Sequence, residues 1–264
     1  MEFHEVIYGT EDGIAIIALN RPETLNALTP RMIDELVTAI DEAKRDNEVK
    51  VVVLTGTGRG FCSGMDVKAA ATRGPEASLV ARRNEMRDGI HRVPRALAQL
   101  DKPVIGSING AAAGAGMDMA SMCDLRIASD KAKFAMSYVR MGLIPGDGGC
   151  YFLPRIIGMA RALELIWTGR IIDAEEALRI GYVNKLVPHQ ELAAVTKELA
   201  TQLARGPAIA IQLAKRLAYR GLYMDLNTAL EAAETGQLIA RSTEDAIEGP
   251  RAWVEKREPR FKGT

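Results

Sequence analysis

Asp118 makes the largest demand on its surroundings. It sits in NGAAAGAGMD among small and apolar residues, and a carboxyl buried in such company needs a hydrogen-bonding or functional reason to be there. Two more groups able to exchange protons follow it, Tyr138 in FAMSYVRMG and Asp147 in IPGDGG. Tyr138 can donate a proton or a hydrogen bond, or only pack. Asp147 can work as an acid, or cap the helix expected to start near Gly148. Two glycine-rich loops, GTGRGFCSGMD (Gly56 to Asp66) and NGAAAGAGMD (Asn109 to Asp118), each follow a predicted strand. Glycines there allow positive φ and let backbone N–H groups approach a ligand, which suits an anion or oxyanion receptor, although tight turns use the same residues. Neither loop spells GxxxxGK[ST], and the first does not have the spacing of GxGxxG, so phosphate-loop and Rossmann readings are disfavoured.

The elements that must hold these residues have an α/β rhythm. Val6 to Leu19 is rich in Ile and Val and is broken at Glu11-Asp12-Gly13, which predicts two strands joined by a hairpin. Thr29 offers an N-cap and Pro30 the first position of a helix running toward Arg45, with Met32, Ile33, Leu36, Val37 and Ile40 at helical spacing. The β-branched run Val49 to Gly56 predicts a strand buried on both faces of a parallel sheet. The pattern repeats with a helical stretch over Val80 to Leu100, a strand over Pro103 to Ile108, a small-residue helix from Gly114 and a strand over Leu125 to Ala128. From about Gly148 the sequence turns helical, over 189–205, 207–220 and 225–242. At 264 residues it predicts one large domain with a helical appendage, a core over 1–200 and a helical subdomain over 201–264.

Composition narrows the partners. Thirty-four basic residues balance 34 acidic ones, so there is no net field to grip nucleic acid or an anionic membrane. The three cysteines form no CxxC pair, and no metal-ligand cluster is evident, so no metal is expected and a reducing cytoplasm fits best. The acidic start of the chain does not resemble a signal peptide, and no apolar run approaches the ~18 residues of a membrane span.

The segment Ile105 to Asp124, IGSINGAAAGAGMDMASMCD, resembles the signature of the enoyl-CoA hydratase/isomerase (crotonase) superfamily. LNRPETLNAL, GRGFCSGMD, MGLIPGDGG, WTGRIIDAEEALRIGYVNKLV and WVEKREPRF resemble further blocks of that family, in order along essentially the whole chain. The resemblance implies a spiral of ββα turns with a C-terminal helical trimerisation region, assembled as a homotrimer or a dimer of trimers. It implies an acyl-coenzyme A thioester as substrate, the coenzyme arriving as part of it and no separate cofactor. The backbone N–H groups of Met65 and Ala115 would hold the thioester oxygen as charge develops on it, each contributing about 3 to 4 kcal/mol. The coenzyme would lie along Leu25, Ala27, Met65, Asp66 and Lys68, with Lys256 and Phe261 reaching it from the C-terminal region.

Typical hydratases carry two glutamates. Here the first slot holds Asp118, the second holds Tyr138, and nearby Met136 is no substitute. Asp147 resembles an acid used by some isomerases of the family. Together Asp118 and Asp147 favour shuttling a proton between two carbons over activating a water molecule. Two other readings remain open: a carbon–carbon bond hydrolase of the same fold, with Tyr138 and Asp147 where some relatives place a His/Asp pair, or an acyl-CoA-binding protein of reduced activity. His4, His91 and His189 lie outside the resembling catalytic blocks and are expected to be surface or structural. Cys62 has no evident histidine to activate it.

Overall fold

The structure is a computed structural model that describes residues 2–66 and 78–263. It opens with the expected hairpin, β1 (Val6–Glu11) and β2 (Ile14–Leu19), turning through Asp12 and Gly13. Helix α1 (Pro30–Arg45) follows, with the Thr29 hydroxyl accepting from the Met32 N–H at 3.0 Å and Pro30 in its first turn. Its apolar stripe, including Met32, Leu36 and Ile40, is fully buried.

Three turns of a spiral come next. In the first, β3 (Val51–Gly56) leads to β4 (Gly60–Cys62) and then to α2 (Leu79–Asp88) and α3 (Arg92–Ala98). In the second, β5 (Val104–Ile108) leads to β6 (Ala111–Ala113) and α4 (Ala115–Met122); in the third, β7 (Leu125–Ser129) leads to β8 (Lys133–Ala135) and α5 (Gly149–Ile157). The chain continues through α6 (Met159–Thr168), β9 (Ile171–Asp173), α7 (Ala174–Arg179) and β10 (Lys185–Val187). Each turn gives one strand to each of two sheets, a six-stranded one ordered β1-β2-β3-β5-β7-β10 and a four-stranded one ordered β4-β6-β8-β9. Pairing is parallel except for β1 with β2 and β8 with β9. This is the expected ββα spiral.

One expected element is split. The helical stretch over Val80 to Leu100 is two helices, because Pro94 lacks an N–H and its ring would clash with the carbonyl four residues back in a continuous helix. The proline is instead accommodated in the first turn of α3.

Four helices complete the chain: α8 (Leu192–Ala204), α9 (Ala208–Gly221), α10 (Leu226–Arg241) and α11 (Asp245–Glu255). The first of these covers the outer face of the six-stranded sheet, packing Leu192 and Ala200 on Ile14, Val51, Val53, Ile105 and Ile127. Leu203 and Ala204 join the same cluster, so the boundary expected at 200/201 falls inside a helix, and the helices beyond the sheet start at α9. That helix is tied to the core at Asp124, whose carboxylate accepts from Lys215 Nζ at 2.6 Å and from the Tyr219 hydroxyl at 2.8 Å. Among the described residues no helix is long and apolar enough to cross a membrane.

Candidate active site

The site is built where the spiral's loops meet the start of α4. Gly114 turns the chain out of β6 (φ 52°, ψ −124°) and sets Ala115 in the first helical turn, where backbone N–H groups have no partner within the helix. Asp118 lies three residues on, on the same helical face as Ala115, and is completely buried. A 3-10 turn over Ser137–Met141 carries Tyr138, and the loop ahead of α5 carries Asp147. The Tyr138 hydroxyl lies 2.7 Å from Asp118 Oδ2 and 2.8 Å from Asp147 Oδ2.

Those two contacts need two hydrogens, and a phenol has one. Tyr138 donates to one carboxylate and accepts from the other, so one of the two aspartates carries a proton. Burial pushes the Asp118 carboxyl up to about 7, with the Asp147 charge adding to the rise and the Tyr138 hydroxyl opposing it. Asp147 is also raised by burial, but the Tyr138 hydroxyl and the charge of His91 pull it back. Tyr138 is raised by burial and by both carboxylates, and stays a phenol. Asp118 is therefore the natural holder of the shared proton.

Its other oxygen, Oδ1, is buried with no hydrogen-bond partner among the described residues. It faces Gly149, where an added Cβ would come within 2.3 Å of it, so α5 can start this close only on a glycine. The N-cap of α5 is Gly148, with no side-chain cap. Asp147 does not cap the helix; its carboxyl is turned to Tyr138.

The glycine loop Gly56 to Asp66 supplies a companion to Ala115. Met65 pairs with Leu28 in an isolated parallel bridge, in which the Leu28 N–H donates to Gly64 O at 2.8 Å and the Asp66 N–H donates to Leu28 O at 3.0 Å. In such a bridge the central residue's own N–H points the other way. Gly64 (φ 101°) passes so close to the loop Asn109 to Asp118 that a Cβ on it would lie 2.9 Å from Ala113 O and 3.7 Å from Ala115 N. Among the described residues the N–H groups of Met65 and Ala115 have no backbone partner, and this approach brings their two loops together at the N-terminus of α4, where the helix dipole also favours negative charge. The Met65 side chain is exposed, in keeping with a residue that contributes through its backbone.

With this geometry in place, comparison with known proteins is decisive. Residues 9–264 match the family described as enoyl-CoA hydratase/isomerase. The chain belongs to that family. It is 39% identical over 262 residues to a short-chain-enoyl-CoA hydratase of Clostridium acetobutylicum, with 97% of each chain covered. It is 36% identical to a 1,2-epoxyphenylacetyl-CoA isomerase of Escherichia coli, covering 100% of this chain and 99% of that one. A crystal structure of an enoyl-CoA hydratase from Bacillus anthracis superposes with a TM-score of 0.91 at 34% identity, covering 99% of this chain and 100% of the other. The protein is an enzyme of the hydratase/isomerase group.

The remaining residues singled out from sequence fall into three sets. Leu25, Ala27, Met65 and Asp66 are gathered beside the glycine loop. Leu25 has φ 53° and Asn26 has φ 58°, and Asp66 forms an ion pair with Arg21 at 3.3 Å while Arg21 also donates to Ala27 O at 2.7 Å. The residue that organises this turn, Asn26, was passed over in the sequence. Wholly buried, it accepts from the Arg21 N–H at 2.8 Å and donates to Gly60 O at 2.8 Å and Thr57 O at 3.0 Å. The available signal was an asparagine amid apolar residues, a type that tolerates the left-handed region.

Lys68 lies outside the described residues. Lys256 is the C-cap of α11, in the left-handed region at φ 55°. Phe261 lies over Gly249 of α11, and Gly263 sits beside Ala208 and Lys50, at the start of β3 rather than at the glycine loop beyond its end.

His91 takes a structural place close to the site. Its Nε2 donates to Gly146 O at 3.0 Å, one residue from Asp147. Cys62 is inert as expected, its thiol pushed up to about 12 by burial. A cavity of about 440 Å³ opens on the other face of the main sheet, between α8 and an apolar floor that includes Ile14, Ile16 and Val53; none of Asp118, Tyr138 and Asp147 lines it.

Proposed function

We propose that this enzyme moves a double bond within an enoyl-coenzyme A thioester by transferring one proton across an enolate, rather than adding water. One observation carries this reading, the Tyr138 hydroxyl between Asp118 and Asp147 at 2.7 and 2.8 Å. Hydration by paired carboxyls needs a water held between them, and here a phenol oxygen occupies that place. A proton shift needs only a base and an acid that share one hydrogen.

The Met65 and Ala115 N–H groups receive the thioester oxygen. Asp147, as carboxylate, takes a proton from one carbon, and the C–H electron pair moves through the conjugated system onto that oxygen. Asp118 gives its proton to the other carbon as the electrons return. The Asp147 proton then passes to the Tyr138 oxygen while the phenol hydrogen passes to Asp118, which restores the starting state with no net gain or loss.

Leu25, Ala27, Met65 and Asp66 form the groove for the coenzyme, with Lys68 as its phosphate partner, and the coenzyme enters and leaves with the substrate. Exposed Leu226 and Leu238 on α10, and Ile247, Trp253 and Val254 on α11, support assembly into a homotrimer or a dimer of trimers. The three free thiols fit a reducing cytoplasm.

The test is turnover of 2-enoyl- and 3-enoyl-CoA thioesters of several chain lengths by wild type and Asp118→Asn, with products followed by mass spectrometry. An isomer of unchanged mass, formed about 1000-fold more slowly by Asp118→Asn, is expected. Gain of the mass of water would make the enzyme a hydratase, and binding without turnover an acyl-CoA-binding protein.

A further inference from the structure

The turn between α2 and α3 reaches the active-site loop across a separation of 55 residues. There His91 Nε2 meets Gly146 O at 3.0 Å. A carbonyl only accepts, so Nε2 is the donor in this contact. The turn is itself pinned, since the His91 N–H donates to Met86 O at 3.0 Å. The Met86 side chain covers the same spot, its Cε lying 3.1 Å from where a Cβ on Gly146 would be. The peptide directly before Asp147 is therefore held by a hydrogen bond from this turn and a packing contact from the end of α2.

We propose that His91 is a positioning residue for Asp147: its hydrogen bond to Gly146 fixes the loop that presents this carboxyl to Tyr138, and its charge keeps Asp147 the base and leaves the shared proton on Asp118. This rests on the proton-transfer reading above and adds what breaks the symmetry between two similar acids. The charge of His91 opposes the rise that burial causes at Asp147, and is not among the influences on Asp118.

The other charges on this turn are engaged elsewhere. Arg87 pairs with Asp88 at 2.8 Å, Arg92 pairs with Asp34, and Arg95 donates to Arg87 O at 2.8 Å. Glu85, also on α2, makes its own interaction. Across the contact stand Asp147 and, behind it, Tyr138 and Asp118.

The test is the pH dependence of kcat/KM for the isomerisation in wild type, His91→Gln, His91→Ala and Asp147→Asn, with thermal unfolding run alongside. Glutamine keeps an N–H donor and removes the charge. His91→Gln is expected to move the acid limb up by about one pH unit, making the variant about tenfold slower below the limb and within about twofold of wild type above it. His91→Ala should show the same shift plus a further loss of about fivefold at every pH, from the missing hydrogen bond. A His91→Gln profile with an unmoved limb, whether at wild-type height or uniformly lowered, overturns the inference while leaving the proposed reaction standing. Wild-type turnover by Asp147→Asn would instead overturn the reaction on which the inference depends.

Discussion

Glu35 and Asp118 are both buried acids on helices, 3% and 0% exposed, yet their surroundings differ completely. One oxygen of Glu35 receives three backbone N–H groups, from His4 at 3.0 Å, Glu5 at 2.7 Å and Val6 at 3.0 Å. The carboxylate on α1 thus satisfies the segment that feeds β1, and the whole arrangement is complete. Asp118 has one shared phenol and one oxygen with no partner among the described residues. The contrast teaches that burial of a carboxyl does not by itself mark a working group. What marks it is hydrogen bonding left unfinished beside a place where charge can develop.

The sharpest way to break this comparison is to neutralise each acid. Asp118→Asn should cut kcat about 1000-fold, whereas Glu35→Gln, assayed as folded protein, should stay within about twofold of wild type. Equal effects in steady-state kinetics would erase the distinction. Next is the oxyanion pair beside Asp118: Gly64→Ala forces a side chain against Ala113 O at a position with φ 101°. It should displace the Met65 N–H and lower kcat about 100-fold, with a smaller change in KM.

On the structural side, Glu35→Ala strands three N–H groups and should cost about 3 kcal/mol in urea unfolding. Tyr138→Phe removes the bridge while leaving both acids, and should slow turnover about 30-fold, less than loss of either carboxyl.

The smallest expected effect concerns stability against pH. Burial raises Asp118 in the folded chain to about 7, above the ordinary carboxyl value of about 4. The folded state thus binds this proton more tightly than the unfolded state does. Its contribution is complete below about pH 4 and declines as the pH rises through about 7. Asp118→Asn cannot ionise, so near pH 8 it should be more stable than wild type by about 1 to 2 kcal/mol, an advantage that should vanish near pH 4 in paired unfolding curves.

Much of the framework was legible because its signals are local. The Asp12-Gly13 turn, the Thr29-Pro30 helix start and the all-buried Val51–Leu54 run each depend on neighbours a few residues away. The split between α2 and α3 was also signalled locally, by Pro94, but the surrounding helix formers masked it. Asp118, Tyr138 and Asp147 could be picked out by residue type and by resemblance. Their joining by one phenol could not, since it depends on how β8 and the loop before α5 return to α4. The same holds for His91 and Gly146, and for Asn26, whose partners lie in the glycine loop more than 30 residues on. Lys256 and Phe261 were tied to the groove by resemblance alone, and within the chain Phe261 packs over Gly249 of α11.

The central claim is that the Asp118–Tyr138–Asp147 unit moves a proton and does not activate water. The most direct measurement is turnover of an enoyl-CoA in oxygen-18 water, with the product's position of unsaturation and oxygen content read together. A shifted double bond with no oxygen-18 in the acyl chain is the expected result. Oxygen-18 on the β-carbon, formed at the rate of turnover and lost in Asp118→Asn, would contradict it.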